Sequence, residues 1–341
     1  MIGLAVVGVG WAGRRQAEAV AELGSHEDPS VSDRIRVVLL VDNDADHLEA
    51  EAKALGVGEY VTDLARALAH PDVDAVSIAT PHKYHADHVL ASVRSGMHTM
   101  VEKPMATDVV AASEMIAAAD ENEVTLYVAE NEVYTSFVDT TLDLLPEIGQ
   151  PIHGSIRGPF RKEGNHGYPG RRNWLTRPEE GGTGQWALNG IHTVAQLRAI
   201  LGEVDTVYMR EHHAESFAAQ GIEGTMVGLL AMSDGPLVDI VQTAEFSLGM
   251  SLVIHGDRGT IHVTKDYIEL SGDSEHRVDL PTDGLSSYAR ELLAFADHLE
   301  GRQEGPTDGR SGLRSLAVVQ AGYESAAAGM PINLAERFGD I

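Results

Sequence analysis

The feature that most constrains this chain lies at its start. Leu4 to Gly8 is an apolar run, it ends in Gly8-Val9-Gly10-Trp11-Ala12-Gly13, and a helical stretch from Arg14 to Leu23 follows at once. Strand, glycine turn and helix in this order open a parallel βαβ unit. The first glycine allows a tight turn, the second lets a pyrophosphate approach the backbone, and the third lets helix and strand pack closely. The helix N-terminus adds unpaired N–H groups and the positive end of a dipole. Gly8, Gly10, Trp11, Ala12 and Gly13 are therefore the expected phosphate cradle of a dinucleotide.

The pattern continues. Apolar runs at Arg36 to Val41, Ala75 to Ala79, Thr99 to Val101 and Thr125 to Ala129 alternate with helical stretches at Ala45 to Leu55, Tyr84 to Ser95 and Val109 to Glu121. Short continuous apolar strands separated by helices predict an α/β fold with a doubly wound parallel sheet, a Rossmann domain, over residues 1–130. The rest of the chain, 131–341, reads differently. Gly, Pro and Arg gather between Gly154 and Gly184, which predicts long loops, and a helix spans Ile191 to Leu201. Strand signals then follow one another from Thr206 to Leu270, with Gly256-Asp257-Arg258-Gly259 as a hairpin turn between two of them. Strands without crossover helices predict an open, largely antiparallel sheet in an α+β domain. Helices at Ser287 to Leu299 and Leu313 to Ala328 close the chain, and the last is expected to pack back on the first domain. A chain of 341 residues is long enough for two such domains.

Asp42 ends the second apolar run. A carboxylate there accepts hydrogen bonds from the adenosine ribose hydroxyls and repels a 2′-phosphate. Its neighbours are Asn43, Asp44 and Asp46, with no Lys or Arg beside them, so NAD is expected over NADP. The distance from Gly13 to Asp42 exceeds the usual ~20 residues. The polar segment Ser25 to Asp33 reads as a loop insertion that accounts for it.

Composition removes several classes. The net charge is -27, which repels phosphate backbones and argues against nucleic acid as a partner. There are no cysteines, so disulfides, thiolate metal sites and a cysteine nucleophile are excluded. No stretch reaches the ~18 apolar residues of a membrane span, and the apolar run after Met1 is too short for a signal-peptide core. The expected compartment is the cytoplasm, with no membrane partner. The 25 basic residues comprise 20 Arg and only 5 Lys. Two readings of this acidic, lysine-poor surface stay open: adaptation to high salt, or a genome rich in Arg codons.

Two segments stand at carboxyl ends of the predicted parallel strands, where such sheets place their ligands: Thr80-Pro81-His82-Lys83-Tyr84-His85 and Glu102-Lys103-Pro104. With Gly256-Asp257-Arg258-Gly259-Thr260 and Gln320-Ala321-Gly322-Tyr323-Glu324-Ser325-Ala326, they resemble the glucose–fructose oxidoreductase / inositol dehydrogenase family (Gfo/Idh/MocA) over essentially the whole chain. The resemblance implies hydride transfer on sugars, cyclitols and related polyols. It also implies a second-domain sheet whose free face joins subunits into a dimer or tetramer. It places Thr80, Pro81, His85, Glu102 and Trp174 on the cofactor side. Lys103 reaches both substrate hydroxyl and nicotinamide, and the Lys103-Pro104 bond is expected to be cis. An ammonium there polarises a carbonyl or stabilises an alkoxide.

The family's second signature is D-x-G-x-H at the start of a helix. Here Gly184-Gln185-Trp186-Ala187-Leu188-Asn189-Gly190-Ile191-His192 puts His192 on the histidine and Gly190 on the glycine, and Leu188 stands where the aspartate belongs. Histidine titrates near neutrality and suits proton transfer. Without the carboxylate, His192 lacks its expected orienting partner, and Asn189 is out of register by one. Asn131, Tyr134 and Arg172 are further candidates for substrate contacts, with His166 and Tyr168 in the loop of Arg172. Asn131 and Tyr134 read equally as helix-capping and packing residues, and the Arg172 loop equally as solvated surface. No H-E-x-x-H occurs among the sixteen histidines, and no metal is expected. The expected activity is reversible hydride transfer between NAD and a secondary alcohol. In it, Lys103 stabilises the oxygen and His192 serves as general acid/base. The alternatives are an enzyme that keeps its NAD bound and recycles it through a second sugar, and an NAD-binding sensor with weakened catalysis.

Overall fold

The computed structural model describes residues 1–159, 174–175, 177–178, 184–246, 249–281 and 284–341. It forms two compact units, Met1–Asn131 with Leu285–Leu313, and Glu132–Gly284 with Arg314–Ile341.

The first unit holds six parallel strands in the order β3-β2-β1-β4-β5-β6. These are β1 (Ile2–Val7), β2 (Ile35–Val41), β3 (Tyr60–Val61), β4 (Ala75–Ile78), β5 (His98–Glu102) and β6 (Leu126–Ala129). The order reverses between β1 and β4, which is the ligand-binding switch point of a doubly wound sheet. Leu4, Ala5, Val6, Ala75, Val76 and Ile78 are wholly buried, as expected of central strands covered on both faces. The crossovers are α1 (Trp11–Gly24), one-turn α2 (Pro29–Ser32), α3 (Ala45–Leu55), short α4 (Leu64–Leu68), α5 (His85–Arg94) and α6 (Val109–Glu121). Four of these six starts follow from capping aspartates: Asp28, Asp44, Asp63 and Asp108 each accept a backbone N–H of the helix they precede. The segment from Ser25 to Asp33 thus contains a capped helical turn and is not wholly loop.

The chain returns to this unit late. Helix α10 (Ser287–Leu299) buries Ala289, Leu292, Phe295 and Ala296 completely, and Phe295 packs on Tyr127 of β6 at 5.4 Å between ring centroids. Arg34, almost fully buried, ties it down through Asp297 at 2.8 Å and Glu300 at 3.0 Å.

The second unit is built on a mixed, largely antiparallel sheet in the order β14-β13-β12-β11-β7-β10-β9-β8-β15. Its strands are β7 (Pro151–Pro159), β8 (Val204–His212), β9 (Thr225–Met232), β10 (Leu237–Thr243), β11 (Ser251–Gly256), β12 (Gly259–Val263), β13 (Tyr267–Gly272), β14 (His276–Asp279) and β15 (Ile332–Asn333). One face carries the core, with Ile156, Met209, Leu230, Ile240, Leu252 and Ile261 packed against α7 (Ser136–Leu144), α8 (Ile191–Leu201) and α11 (Gly309–Ala328). Short α9 (Glu215–Ala218) and α12 (Leu334–Phe338) complete the described helices.

The loop expected from Gly154 onward is corrected here: β7 runs to Pro159 and lies mid-sheet, parallel to β10 and antiparallel to β11. Its glycines serve packing. A Cβ on Gly158 would fall 2.0 Å from Oε1 of Gln242, and one on Gly154 would fall 3.1 Å from Val238. Its prolines stand at the two ends of the strand, where a ladder tolerates them.

Candidate functional site

In the first unit, the three glycines of the opening turn do three separate things. Gly8 has φ +86, and a Cβ there would lie 2.7 Å from the carbonyl of Ala79, so the turn closes only on glycine. A Cβ on Gly13 would lie 2.1 Å from the carbonyl of Gly8, which fixes how closely α1 sits on the turn. A side chain on Gly10 would meet nothing within 4 Å among the described residues. Open space therefore stands over the N-terminus of α1, and its N–H groups suit a pyrophosphate.

Asp42 follows β2 and is 7% exposed. One carboxylate oxygen accepts the N–H of Val9 at 3.0 Å and the other accepts that of Asp44 at 3.1 Å. The side chain thus braces the glycine turn, and a carboxylate retains further lone pairs for ribose hydroxyls. Trp11 is half exposed at the start of α1, edge-on to Tyr288 at 6.4 Å. Ala12 follows it in the first turn of the helix.

The ends of β4 and β5 are joined by buried polar contacts. Gln16, wholly buried on α1, accepts from Ser77 Oγ at 2.5 Å and donates to the Glu102 carboxylate at 3.0 Å. The helix that opens at the glycine turn therefore also holds the Glu102-Lys103-Pro104 segment. The Lys103-Pro104 peptide is cis. His85 is wholly buried, with Nδ1 2.9 Å from the carbonyl of Pro104 and Nε2 2.8 Å from that of Thr80. Burial pushes it down to about 4, against the two carbonyls, which favour the charged ring. Its place is between the segment of Thr80 and Pro81 and that of Lys103 and Pro104, as a strut that sets both. Asn131, just past β6, is buried and donates to Ser287 Oγ at 3.0 Å, the packing role already open to it.

In the second unit, His192 is the second residue of α8 and is half-buried. A single π-helical turn, Trp186–Gly190, runs directly into α8. Such turns are rare and recur at functional sites. Here the cause is visible. The Trp186 indole is wholly buried, donates from Nε1 to the Val319 carbonyl at 3.0 Å, and fills the spaces that a Cβ of Gly190 or Gly322 would take, at 2.3 and 2.4 Å. Leu188, where the family resemblance calls for aspartate, is 7% exposed. The Asn189 amide donates to Gln185 Oε1 one turn back, at 2.8 Å.

Sequence reasoning passed over Glu223. Its Oε1 accepts the N–H of Trp186 at 2.6 Å and the hydroxyl of Tyr323 at 3.1 Å, and that hydroxyl accepts the N–H of Ala187 at 3.1 Å. Burial pushes the Glu223 carboxyl up to about 7, against those hydrogen bonds. No sequence signal marks it; in the structure, a Cβ on Gly184 would fall 1.6 Å from Glu223 Oε2, so only glycine leaves the carboxylate its place. Tyr134 ends a 3-10 turn from Asn131, and Trp174 is half-buried. Arg172, with His166, Tyr168, Arg171, Asn173 and Gly181 to Thr183, lies outside the described residues. Among the described residues, no cluster of His, Asp or Glu is arranged to hold a metal, and no helix is long and apolar enough to cross a membrane.

Comparison with known proteins agrees with both halves. The chain is similar to 1,5-anhydro-D-fructose reductase of Ensifer adhaerens, 27% identical over 86% of this chain and 89% of the relative. It is similar to D-xylose 1-dehydrogenase (NADP(+)) 2 of Haloferax volcanii, 22% identical over 96% and 98%. Its fold matches an oxidoreductase from Agrobacterium radiobacter solved with NAD+, L-tartaric acid and magnesium, at a TM-score of 0.84, 22% identity and coverage of 98% and 99%. Residues 2–130 match the family model of the oxidoreductase family with an NAD-binding Rossmann fold, and residues 147–334 match that family's C-terminal alpha/beta domain. With the glycine cradle and the Glu102-Lys103-Pro104 strand end in one unit and the mixed sheet in the other, the chain belongs to the Gfo/Idh/MocA oxidoreductase family.

Proposed function

We propose that this chain transfers hydride between NAD and a secondary alcohol or ketone of a sugar, cyclitol or sugar derivative. The observation that carries this reading is the cradle. It joins open space at Gly10, a positive-φ glycine at position 8 and the buried Asp42 carboxylate braced against the turn. Gly8, Gly10, Trp11, Ala12 and Gly13 would hold the pyrophosphate and Asp42 the adenosine ribose. Asp42 favours NAD, because a second negative charge beside a carboxylate is repelled. Thr80, Pro81, Glu102 and Trp174 would line the nicotinamide side.

Bound nicotinamide supplies or accepts the hydride. The protein's part is charge and protons. Lys103 offsets the charge that develops on the reacting oxygen, and His192 takes or gives the hydroxyl proton. Tyr134, Arg172 and Asn189 would contact neighbouring hydroxyls. The names of the relatives support a sugar-type substrate, and both cofactors occur among them. Absence of cysteine agrees with a cytoplasmic setting.

The sheet's outer face supports association of like chains. Val227, Leu229 and Leu237 are 45%, 50% and 58% exposed on neighbouring strands β9 and β10. A Leu229→Glu variant is expected to lower the mass measured by light scattering.

Leu188 favours a second reading, an NAD-binding protein with weak turnover, because it stands where the family resemblance calls for the aspartate. The test is spectrophotometric: reduction of NAD and of NADP across sugars, cyclitols and sugar acids, at low and molar salt. Turnover with NAD upholds the proposal. NADH binding without any turnover supports the second reading, and preference for NADP overturns the role given to Asp42.

A further inference from the structure

The strongest feature outside the assigned roles is the contact set behind the π-turn. The first N–H groups of a helix have no partner within it and need an acceptor from elsewhere. For the helix that carries His192, two of these are Trp186 N–H and Ala187 N–H. Among the described residues, neither is met by a side-chain cap. Glu223, from the segment before β9, takes the first, and Tyr323, from α11, takes the second. The two acceptors are joined by the Tyr323 O–H donated to Glu223. Gly184 gives the carboxylate its place, and Gly190 and Gly322 give the Trp186 indole its place. Two remote chain segments thus meet on one turn, which contains Leu188 and Asn189 and leads straight to His192.

We infer that Glu223 and Tyr323 are positioning residues that set the turn 185–190 and, through it, the His192 imidazole. They act through the backbone of the turn and not on the ring itself. The catalytic part of this inference rests on the function proposed above; the structural part does not.

The test uses the full-length protein labelled with ¹⁵N-histidine, with the His192 resonances assigned by their loss in His192→Gln. Tyr323→Phe keeps the ring and removes one hydroxyl. Glu223→Ala removes the acceptor, and Glu223→Gln retains one carbonyl oxygen. The His192 resonances are expected to shift in Tyr323→Phe and Glu223→Ala and to return towards wild type in Glu223→Gln, with His26 unmoved throughout. In turnover, kcat falls about tenfold in Tyr323→Phe, KM for NAD stays within twofold, and the effect vanishes in a His192→Ala background, as coupled sites require. Unmoved His192 resonances in Tyr323→Phe overturn the inference, whatever happens to Glu223→Ala. So does a loss of kcat that persists undiminished in His192→Ala. Shifted resonances in a protein that turns over no substrate uphold the positioning and sink the proposed function instead.

Discussion

The chain carries two glycine-rich turns that each open a helix, and they solve different problems. In Gly8 to Gly13, the glycines face backbone or open space: the carbonyls of Ala79 and Gly8, and nothing at Gly10. In Gly184 to Gly190, they face large or charged side chains from remote segments, Glu223 and Trp186. The first turn leaves open space at Gly10 among the described residues. The second spends its room on the protein's own core. A glycine pattern therefore signals a ligand only when the space it leaves stays open.

The comparison can be broken first at the two residues proposed to react. Lys103→Ala is expected to lower kcat by roughly 10²–10³-fold, the usual loss for one group that stabilises an oxyanion. His192→Ala is expected to lose at least ~10²-fold as a general acid/base. Steady-state kinetics beside NADH fluorescence titration separates this from loss of binding. If Lys103→Ala keeps full turnover, the first unit's strand end is not the reaction centre.

A second effect concerns only the core-filling turn. The folded-state value of Glu223, about 7, lies above its ordinary 4.5, so the folded chain holds this proton over a window in which the unfolded chain has released it. Stability is then lost as pH rises through that window, by roughly 3 kcal/mol in all at ~1.4 kcal/mol per pH unit. Glu223→Gln, neutral at every pH, is expected to melt above wild type at pH 8 and to lose that advantage by pH 4. Thermal melts across this range check it; an advantage independent of pH would place the effect in packing instead of charge.

Asp42 tests the ligand-facing turn. Removing one charge-assisted acceptor is worth about 1.5–3 kcal/mol, so Asp42→Ala is expected to raise KM for NAD by roughly 10–100-fold while KM for NADP changes less. An equal change for both cofactors would mean that bracing of Val9 is the whole of its role.

The smallest effects distinguish the two kinds of glycine directly. Gly190→Ala forces a methyl group against Trp186 and is expected to destabilise the fold by about 1–3 kcal/mol. Gly10→Ala meets open space, so its melting temperature should hold while NADH affinity falls. The reverse pattern in denaturant titrations would overturn the distinction.

How much was legible follows the same line. The helices at 45–55, 109–121 and 287–299 are read from the sequence to the residue, because their caps and apolar spacing are local. Strand β7 was missed because two glycines and two prolines within nine residues mimic a loop; their partners, Val238 and Gln242, lie some eighty residues away. The positions of the glycine turn and of Lys103 were visible because each follows a strand that its own segment announces. Glu223 was invisible, since a glutamate between glycines reads as surface until Trp186 and Tyr323 are brought to it.

The sequence by itself determined the two-part architecture, the glycine cradle, the carboxylate at the end of β2 and the family. The first three rest on periodicity, capping and turns, which act over a few residues; the family rests on the resemblance of motifs spread along the whole chain. Only the tertiary structure decided that Gln16 holds Glu102, that His85 is a strut between two loops, and that Glu223 and Tyr323 hold the turn before His192. The physical reason is burial. A buried polar group must find its hydrogen-bond partner, and the fold, not the neighbouring sequence, chooses which group that is.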